Sequence, residues 1–262
     1  MQEMKDEDKD MSLVEHITEL RKRVILVLAV FVVAMIGGLF ASSYVIDFIK
    51  SVEPAKSMAW HAISLWDGIR IYMQFAVGIS LVVALPFTLY QVWAFVKPGL
   101  KEHEQRAALR FIPFSVVLWV VGLAFAYGVV FQMAVYFTTK VNRGLGLTEI
   151  YGVSQYFSFM FNILIPVSLL FELPVVVMFL TQLRILNPRM MKKLRRFAYL
   201  VLVIVATAIT PPDFISDFLV AVPLILLYEF SVLLSARVYR KQLDKDKAWE
   251  EEFYGKKQEH PV

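Results

Sequence analysis

The chain has 262 residues, of which 58% are hydrophobic and only 19% are charged, with 21 phenylalanines and no cysteine. An average soluble domain has about 25% charged residues, so a soluble chain of this composition would expose large apolar patches. The composition therefore predicts a membrane-embedded protein. The lack of cysteine excludes disulfides, thiolate metal sites and thiol nucleophiles. A net charge of +4 gives no case for nucleic-acid binding.

Windows almost free of charge predict the membrane spans, because a spanning helix needs about 20 apolar residues. Only Glu172 and Glu229 interrupt these windows, and the last two windows are short and joined by a turn at 210–213. We therefore predict an all-α, polytopic membrane protein with six transmembrane helices, of which helices five and six are short. The six windows are 24–46, 71–96, 111–139, 150–183, 197–212 and 218–236.

The distribution of lysine and arginine predicts the orientation. If the N-terminus, the loops after helices two and four and the C-terminus share one side, that side holds 22 of the 27 basic residues. The positive-inside rule places this side, and both termini, in the cytoplasm. The opposite loops, 47–70 and 138–154, are long enough to form a structured cap. Aromatic residues suited to an interfacial belt there are Trp60, Trp66, Tyr151 and Tyr156.

Three parts are predicted along the chain: a cytoplasmic amphipathic lead-in at 1–23, a six-helix transmembrane domain at 24–236 and a charged cytoplasmic tail at 237–262. A capping-box spacing between Ser12 and Glu15 predicts that a helix starts near Ser12. The tail is expected to be disordered or a frayed helix.

Two of the acidic residues attract attention by their position. Glu19 and Arg23 lie four residues apart and could simply form an ion pair on the helix. Glu172 lies inside a span, where a carboxylate costs about 2.5–3.5 kcal/mol to insert. Pro174, two residues later, predicts a kink, so Glu172 could line a docking surface or a cavity. Alternatively it bonds inside the bundle, to Asn162, Gln155 or Thr207.

Motifs for catalysis are missing from the sequence, including those of serine hydrolases, zinc proteases and nucleotide-binding loops. The pair His103 and Glu104 is only a weak indication of metal binding. We therefore predict that the protein is not an enzyme and needs no cofactor or metal. A proton-coupled secondary transporter with Glu172 as its site is the alternative, weakened because no internal repeat is evident.

Several strings, in order along the chain, resemble the TatC family. Residues 15–23 read EHITELRKR, and residues 86–98 read PFTLYQVWAFVKP, followed by His103 and Glu104. Later matches are FELPV at 171–175, TPPD at 210–213, and Pro223 with the Tyr228–Glu229 pair. Together the matches cover residues 12 to about 236.

The resemblance implies a receptor subunit of the twin-arginine protein translocase in the cell inner membrane. Such a subunit binds Arg-Arg signal peptides of folded proteins and assembles with single-span partners of the TatA/TatB type for export driven by the proton-motive force. It implies membrane lipids as surroundings, a homo-oligomer within a larger complex and no nucleic acid. It also implies a partner-helix contact at Glu172 and signal-peptide contacts at Glu19, Glu104, Leu20, Arg21, Gln91 and Phe95.

One position departs from the family pattern. After FAYGVVF at 125–131 the family usually has proline, and this chain has Gln132. We expect the end of the third helix to be straighter as a result. The family's proline in the first non-cytoplasmic loop is matched to Pro54.

Overall fold

The computed structural model describes residues 13–99, 105, 109, 111–210 and 214–259. Within these residues the architecture is helical, joined by short loops. The helices are α1 (Leu13–Ser51), α2 (Asp67–Val96), α3 (Phe111–Phe125), α4 (Gln132–Gly144), α5 (Val153–Leu170), α6 (Leu173–Gln182), α7 (Pro188–Ile209) and α8 (Phe214–Glu259). A π-helical segment, Ala126–Phe131, links α3 to α4, and two 3₁₀ turns, Ala55–Ser57 and Lys97–Gly99, follow α1 and α2.

Five segments of the described chain are long and apolar enough to cross a membrane. They correspond to α1, α2, α3 with α4, α5 with α6, and the first part of α8. The remaining predicted span is α7, a helix of 22 residues whose first turns carry the charges of Lys192, Lys193, Arg195 and Arg196. The predicted all-α polytopic fold is confirmed.

The last two helices are longer than their charge-free windows, because a charged side chain ends an apolar window without ending a helix. The tail is expected to be either disordered or a frayed helix, and the structure shows a helix, because α8 continues to Glu259. Its extension packs against the end of α6: the Gln242 side-chain amide donates to the Gln182 carbonyl at 2.9 Å. Arg184 and Asp246 form a two-pronged ion pair at 2.9 Å beside it.

The spans alternate in direction, so the start of α1 and the ends of α2, α6 and α8 share one side. We call it the basic side, since it is the side predicted to hold 22 of the 27 basic residues. The helix α1 packs mainly on α2 and is largely exposed, with only 6% of its most apolar window buried. The core lies among α2, α5, the π segment and α8, around Phe75, Phe131, Phe157, Ile163 and Leu224.

The loops on the opposite side form the predicted cap. A parallel bridge joins His61 to Gly152, with the Val153 amide donating to the His61 carbonyl at 2.9 Å. The indole of Trp60 stacks on Phe157 and meets Tyr156 edge-on. Trp60 and Tyr156 therefore lie at the centre of the cap. Trp66, another residue of the predicted aromatic belt, is strongly exposed.

Gln132 ties the third span to this cap. Its side-chain amide donates to the Glu53 carbonyl at 3.0 Å, beside the cis Glu53–Pro54 bond. The helix runs through Gln132 without interruption, but the six residues before it are π-helical rather than regular α-helix. Gln132 thus provides a contact to the α1–α2 loop that proline, which lacks a donor, could not make.

Candidate functional site

The predicted ion pair between Glu19 and Arg23 forms on the first turns of α1. The Arg23 Nε donates to Glu19 Oε1 at 3.1 Å, and Nη2 contacts the same oxygen. The Arg23 side chain is 23% exposed and that of Glu19 is 25% exposed. Among the described residues, no hydrogen bond reaches Glu19 Oε2, so one carboxylate oxygen is committed to Arg23 and the other is open.

Arg23 also joins α1 to the end of α2, which the sequence did not reveal. Its Nη1 donates to the Oε1 of buried Gln91 at 3.1 Å, and its Nη2 donates to the Ala94 carbonyl at 3.1 Å. In a regular helix the Ala94 carbonyl would accept from the amide four residues on, but Pro98 has no amide hydrogen. Arg23 therefore satisfies a carbonyl that the chain itself leaves unpaired.

The other predicted contacts are only partly brought together. Phe95 lies on α2 one turn after Gln91, on the same stretch of helix that Arg23 clamps. Leu20 and Arg21 lie on exposed parts of α1. Glu104, like its neighbour His103, lies outside the described residues. The structure therefore joins Glu19 and Gln91 through one cation, Arg23, and places Phe95 one turn further along α2.

An apolar cavity begins beside this cluster. It has a volume of about 430 Å³ and lies between the end of α2, the start of α3 and α6. Phe95 is one of its walls, so the cavity reaches within one turn of α2 of Gln91. The other lining residues are all apolar: Leu89, Val92, Trp93, Val96, Phe111, Ile112, Val175, Val176, Phe179, Leu180 and Leu183.

Glu172 lies at a break between α5 and α6. The helix α5 ends at Leu170, because Pro174 cannot donate to the Leu170 carbonyl, and α6 starts with proline in its first turn. The Glu172 amide instead donates to the Leu169 carbonyl at 3.0 Å, which tightens the turn. The kink predicted from Pro174 is thus present, as a break between α5 and α6.

The Glu172 side chain points into the protein. It is 6% exposed, and neither carboxylate oxygen has a hydrogen-bond partner among the described residues. The internal bonds considered from the sequence do not form: Asn162 is exposed and the Thr207 hydroxyl donates to the Ile204 carbonyl. The hydroxyl of Ser115 lies near the carboxylate but forms no hydrogen bond with it.

Besides Glu172, two buried polar groups without hydrogen-bond partners lie on one face of α3. Ser115 and Trp119 are four residues apart, both are buried, and neither the hydroxyl nor the indole nitrogen has a partner among the described residues. Gly122 continues the stripe and faces Phe171, the residue before Glu172. This cluster was missed from the sequence, where serine and tryptophan in an apolar run carry no distinguishing pattern.

Glu229, in contrast, has its partners inside the bundle. Its carboxylate accepts from Arg195 and from the Tyr199 hydroxyl of α7, both at 2.5 Å. Next to it, the Tyr228 hydroxyl donates to the Met191 carbonyl at 2.8 Å. This acidic residue therefore joins α7 to α8 and leaves no oxygen free of a contact. Within the described residues, no group of three or more potential ligands could hold a metal ion.

Known proteins with similar sequences and folds bear on this arrangement. The family described as Sec-independent protein translocase protein (TatC) matches residues 15–223. The TatC protein of Halalkalibacterium halodurans is 42% identical over 94% of this chain and 97% of its own length, and the TatCy protein of Bacillus subtilis is 42% identical over 88% and 91%. A crystal structure named Twin Arginine Translocase Receptor TatC in DDM has 27% identity and a TM-score of 0.74, covering 84% of this chain and 99% of that one. The chain belongs to the TatC family of Sec-independent protein translocase proteins.

Proposed function

We propose that this chain is the receptor subunit of a twin-arginine translocase and binds Arg-Arg signal peptides of folded cargo. The observation that carries the proposal is Glu19, a carboxylate held in place through Oε1 by Arg23 while its Oε2 stays open. Family membership supports the proposal, and the crystal structures it resembles are those of a twin-arginine translocase receptor. The comparisons do not favour the alternative of a proton-coupled transporter.

The chemistry of the open oxygen fits a guanidinium group. An ionised carboxylate can accept about four hydrogen bonds, so Glu19 can hold Arg23 and still accept from a second arginine. A guanidinium can donate two of its N–H groups to the open Oε2, as Arg23 does to Oε1, and a lysine ammonium lacks this planar fork. Glu104 would supply a second carboxylate for the second arginine of the peptide.

The apolar cavity supports binding of the segment that follows the two arginines. It starts at Phe95, one turn from Gln91, and its lining is entirely apolar. An apolar peptide segment entering it would leave water at about 25 cal/mol per Å² of buried apolar surface. The ionic cluster would then select the arginines, and the cavity would add affinity that depends little on sequence.

Orientation and location follow from the charges. We place the basic side in the cytoplasm, with both termini inside, and the protein in the cell inner membrane. The signal-peptide cluster then faces the compartment in which folded cargo is made. Glu19 lies on the side predicted to be basic, so recognition would depend on a locally exposed oxygen rather than on a net negative charge.

We further propose that Glu172 takes part in contact with single-span partners of the TatA/TatB type, within a larger complex that contains several copies of this chain and surrounding lipids. The protein acts without catalysis or cofactor, and the proton-motive force drives export. The support is a buried carboxylate with no partner, since a buried acid without one is costly and gains from any donor that reaches it. A partner's polar side chain would reach it where α5 and α6 break.

Photo-cross-linking of an Arg-Arg signal peptide in membranes tests the receptor role. We expect cross-links to the parent chain, loss of them on Glu19→Ala or Glu104→Ala, and little cross-linking of a matched Lys-Lys peptide. Glu15→Ala, one turn earlier on α1, is the control and should leave the cross-links in place. Unchanged binding by the double Glu19→Ala, Glu104→Ala variant would show that the site assignment is wrong.

Co-purification tests the role of Glu172. We expect Glu172→Ala to leave peptide cross-linking intact and to lower the yield of the single-span partner. An unchanged partner yield would remove Glu172 from the partner contact while leaving the signal-peptide site untouched.

A further inference from the structure

A polar notch opens between α2 and α5, toward the end of the spans that is opposite the basic side. It has a volume of about 340 Å³, and its polar lining residues are Arg70, Gln74 and Asn162. Met73 and Phe161 are among its apolar walls. The notch is separate from the apolar cavity at the other end of α2 and from the Glu172 cluster.

The two amide side chains of the notch lie well inside the membrane spans. At a rise of 1.5 Å per residue, Gln74 is about 10 Å along α2 from its start and Asn162 is about 13 Å along α5. The hydrocarbon core of a bilayer is about 30 Å thick, so both amides lie at the depth of lipid chains. Arg70, one turn before Gln74, lies close to the membrane surface.

Each of these amides has a polar group without a partner in the described part of the chain. The Gln74 Nε2 donates to the Ser158 hydroxyl at 2.7 Å, but Gln74 Oε1 is buried and accepts no hydrogen bond among the described residues. Asn162 is exposed on α5 and makes no side-chain hydrogen bond within the described chain. A polar group without a partner in an apolar medium is costly, so the exposed amide of Asn162, which an occupant of the notch can reach, is incomplete without a hydrogen-bonding occupant.

We propose that this notch docks a transmembrane helix of a partner subunit, through a hydrogen-bond donor on that helix about 10–13 Å from its end on the same side. A side-chain amide, hydroxyl or protonated carboxyl supplies such a donor. A phospholipid fits less well: its phosphate can meet Arg70, but its acyl chains carry no donor at the depth of Gln74 and Asn162.

The inference rests on the proposed function, because it takes the docked helix to be the single-span partner. The notch adds to that function a second point of contact. Glu172 is ten residues beyond Asn162 and its carboxylate is buried, whereas the amide of Asn162 is already accessible from the membrane. The notch can therefore engage a partner helix before any rearrangement around Glu172.

Disulfide cross-linking tests the proposal directly, because the chain has no cysteine of its own. Met73→Cys places a thiol in the notch at a position that is 42% exposed. The control, Tyr72→Cys, is the adjacent residue on α2, is 43% exposed and does not line the notch. Each variant is co-expressed with a series of variants of the single-span partner, each of which carries one cysteine at a different position of its membrane span.

We expect Met73→Cys to cross-link with the partner at positions that recur with helical spacing, and Tyr72→Cys to cross-link much less. Adding Asn162→Leu should lower the retained partner about three- to thirtyfold, the range for loss of one hydrogen bond within a membrane. Asn162→Gln, which keeps the amide, should retain it.

Four results would contradict docking at the notch. Two concern the variants: equal cross-linking of Met73→Cys and Tyr72→Cys, or no effect of Asn162→Leu on the retained partner. The other two concern the occupant: cross-linking of Met73→Cys only to a second copy of this chain, or co-purified lipid in place of the partner. If the partner co-purifies and signal-peptide cross-linking at Glu19 persists, such a result removes the notch alone. If the partner does not co-purify with the parent chain at all, the proposed partnership and the notch both fail.

Discussion

The clamp made by Arg23 can be removed by one substitution, Arg23→Met, which keeps an unbranched apolar side chain. The change removes the donors to Glu19, to buried Gln91 and to the Ala94 carbonyl. Since α1 packs mainly on α2, the bonds to Gln91 and Ala94 attach α1 to its main packing partner at the basic side.

The expected loss follows from what is left unpaired. Leaving the buried Gln91 oxygen without a donor costs about 1–3 kcal/mol, and loss of the bond to the Ala94 carbonyl costs about 0.5–1.5 kcal/mol. The ion pair with Glu19 adds at most about 1 kcal/mol, because both side chains are about a quarter exposed. We therefore expect Arg23→Met to lower the free energy of unfolding by about 1.5–5.5 kcal/mol.

A double-mutant cycle with Gln91→Leu isolates the buried bond. Gln91→Leu removes the oxygen that needs the donor, so Arg23→Met should cost about 1–2 kcal/mol less in that background. The free energies come from SDS titration in mixed micelles, with helix content followed by circular dichroism. Lys22→Met, the exposed neighbour, is the control and should stay within about 0.5 kcal/mol of the parent. Additive effects of Arg23→Met and Gln91→Leu would refute the clamp.

Two further predictions concern contacts away from the signal-peptide cluster. Asp67 is buried and accepts from two backbone amides of its own loop at 2.8 and 2.9 Å. Asp67→Ala should therefore cost about 1–3 kcal/mol and raise trypsin cleavage at the exposed Lys56 of the same loop; unchanged cleavage would contradict this role. Glu229→Gln weakens the contact with Arg195 and Tyr199, which are partly exposed. The loss of stability, measured by thermal unfolding in detergent, should therefore be about 1 kcal/mol or less, and signal-peptide cross-linking should persist. Loss of cross-linking would place Glu229 in the signal-peptide site.

The spans could be predicted because they depend on one local property, the absence of charge over about 20 residues. The break at Glu172 also depends on a local property, because proline leaves the carbonyl four residues before it without a donor. The pair of Glu19 and Arg23 is also local, because side chains four residues apart on a helix are neighbours.

Contacts between helices could not be predicted in this way. In a membrane, a face that packs on protein and a face that meets lipid are both apolar, so hydrophobic periodicity does not show which side of a span is buried. The bond from Arg23 to Gln91 joins positions 68 residues apart. Nothing near either residue indicates the other, and the same is true of the notch formed by Gln74 and Asn162.

Two adjacent glycines of α1 offer a matched test of how this helix packs. A Cβ at Gly38 would lie 2.9 Å from the Ala76 carbonyl oxygen and 3.1 Å from its Cα, and backbone atoms cannot move aside as a side chain can. A Cβ at Gly37 would meet nothing within 4 Å. Gly37→Ala should therefore stabilise the protein by about 0.5–1 kcal/mol, through helix propensity, whereas Gly38→Ala should destabilise it by about 1–3 kcal/mol. Because Gly38→Ala pushes α1 from α2, it should also weaken Arg-Arg peptide cross-linking by drawing Arg23, and Glu19 with it, away from Gln91. SDS titration and peptide cross-linking of both variants measure these effects, and stability changes of the same sign at the two positions would mean that α1 does not pack on α2 through Gly38.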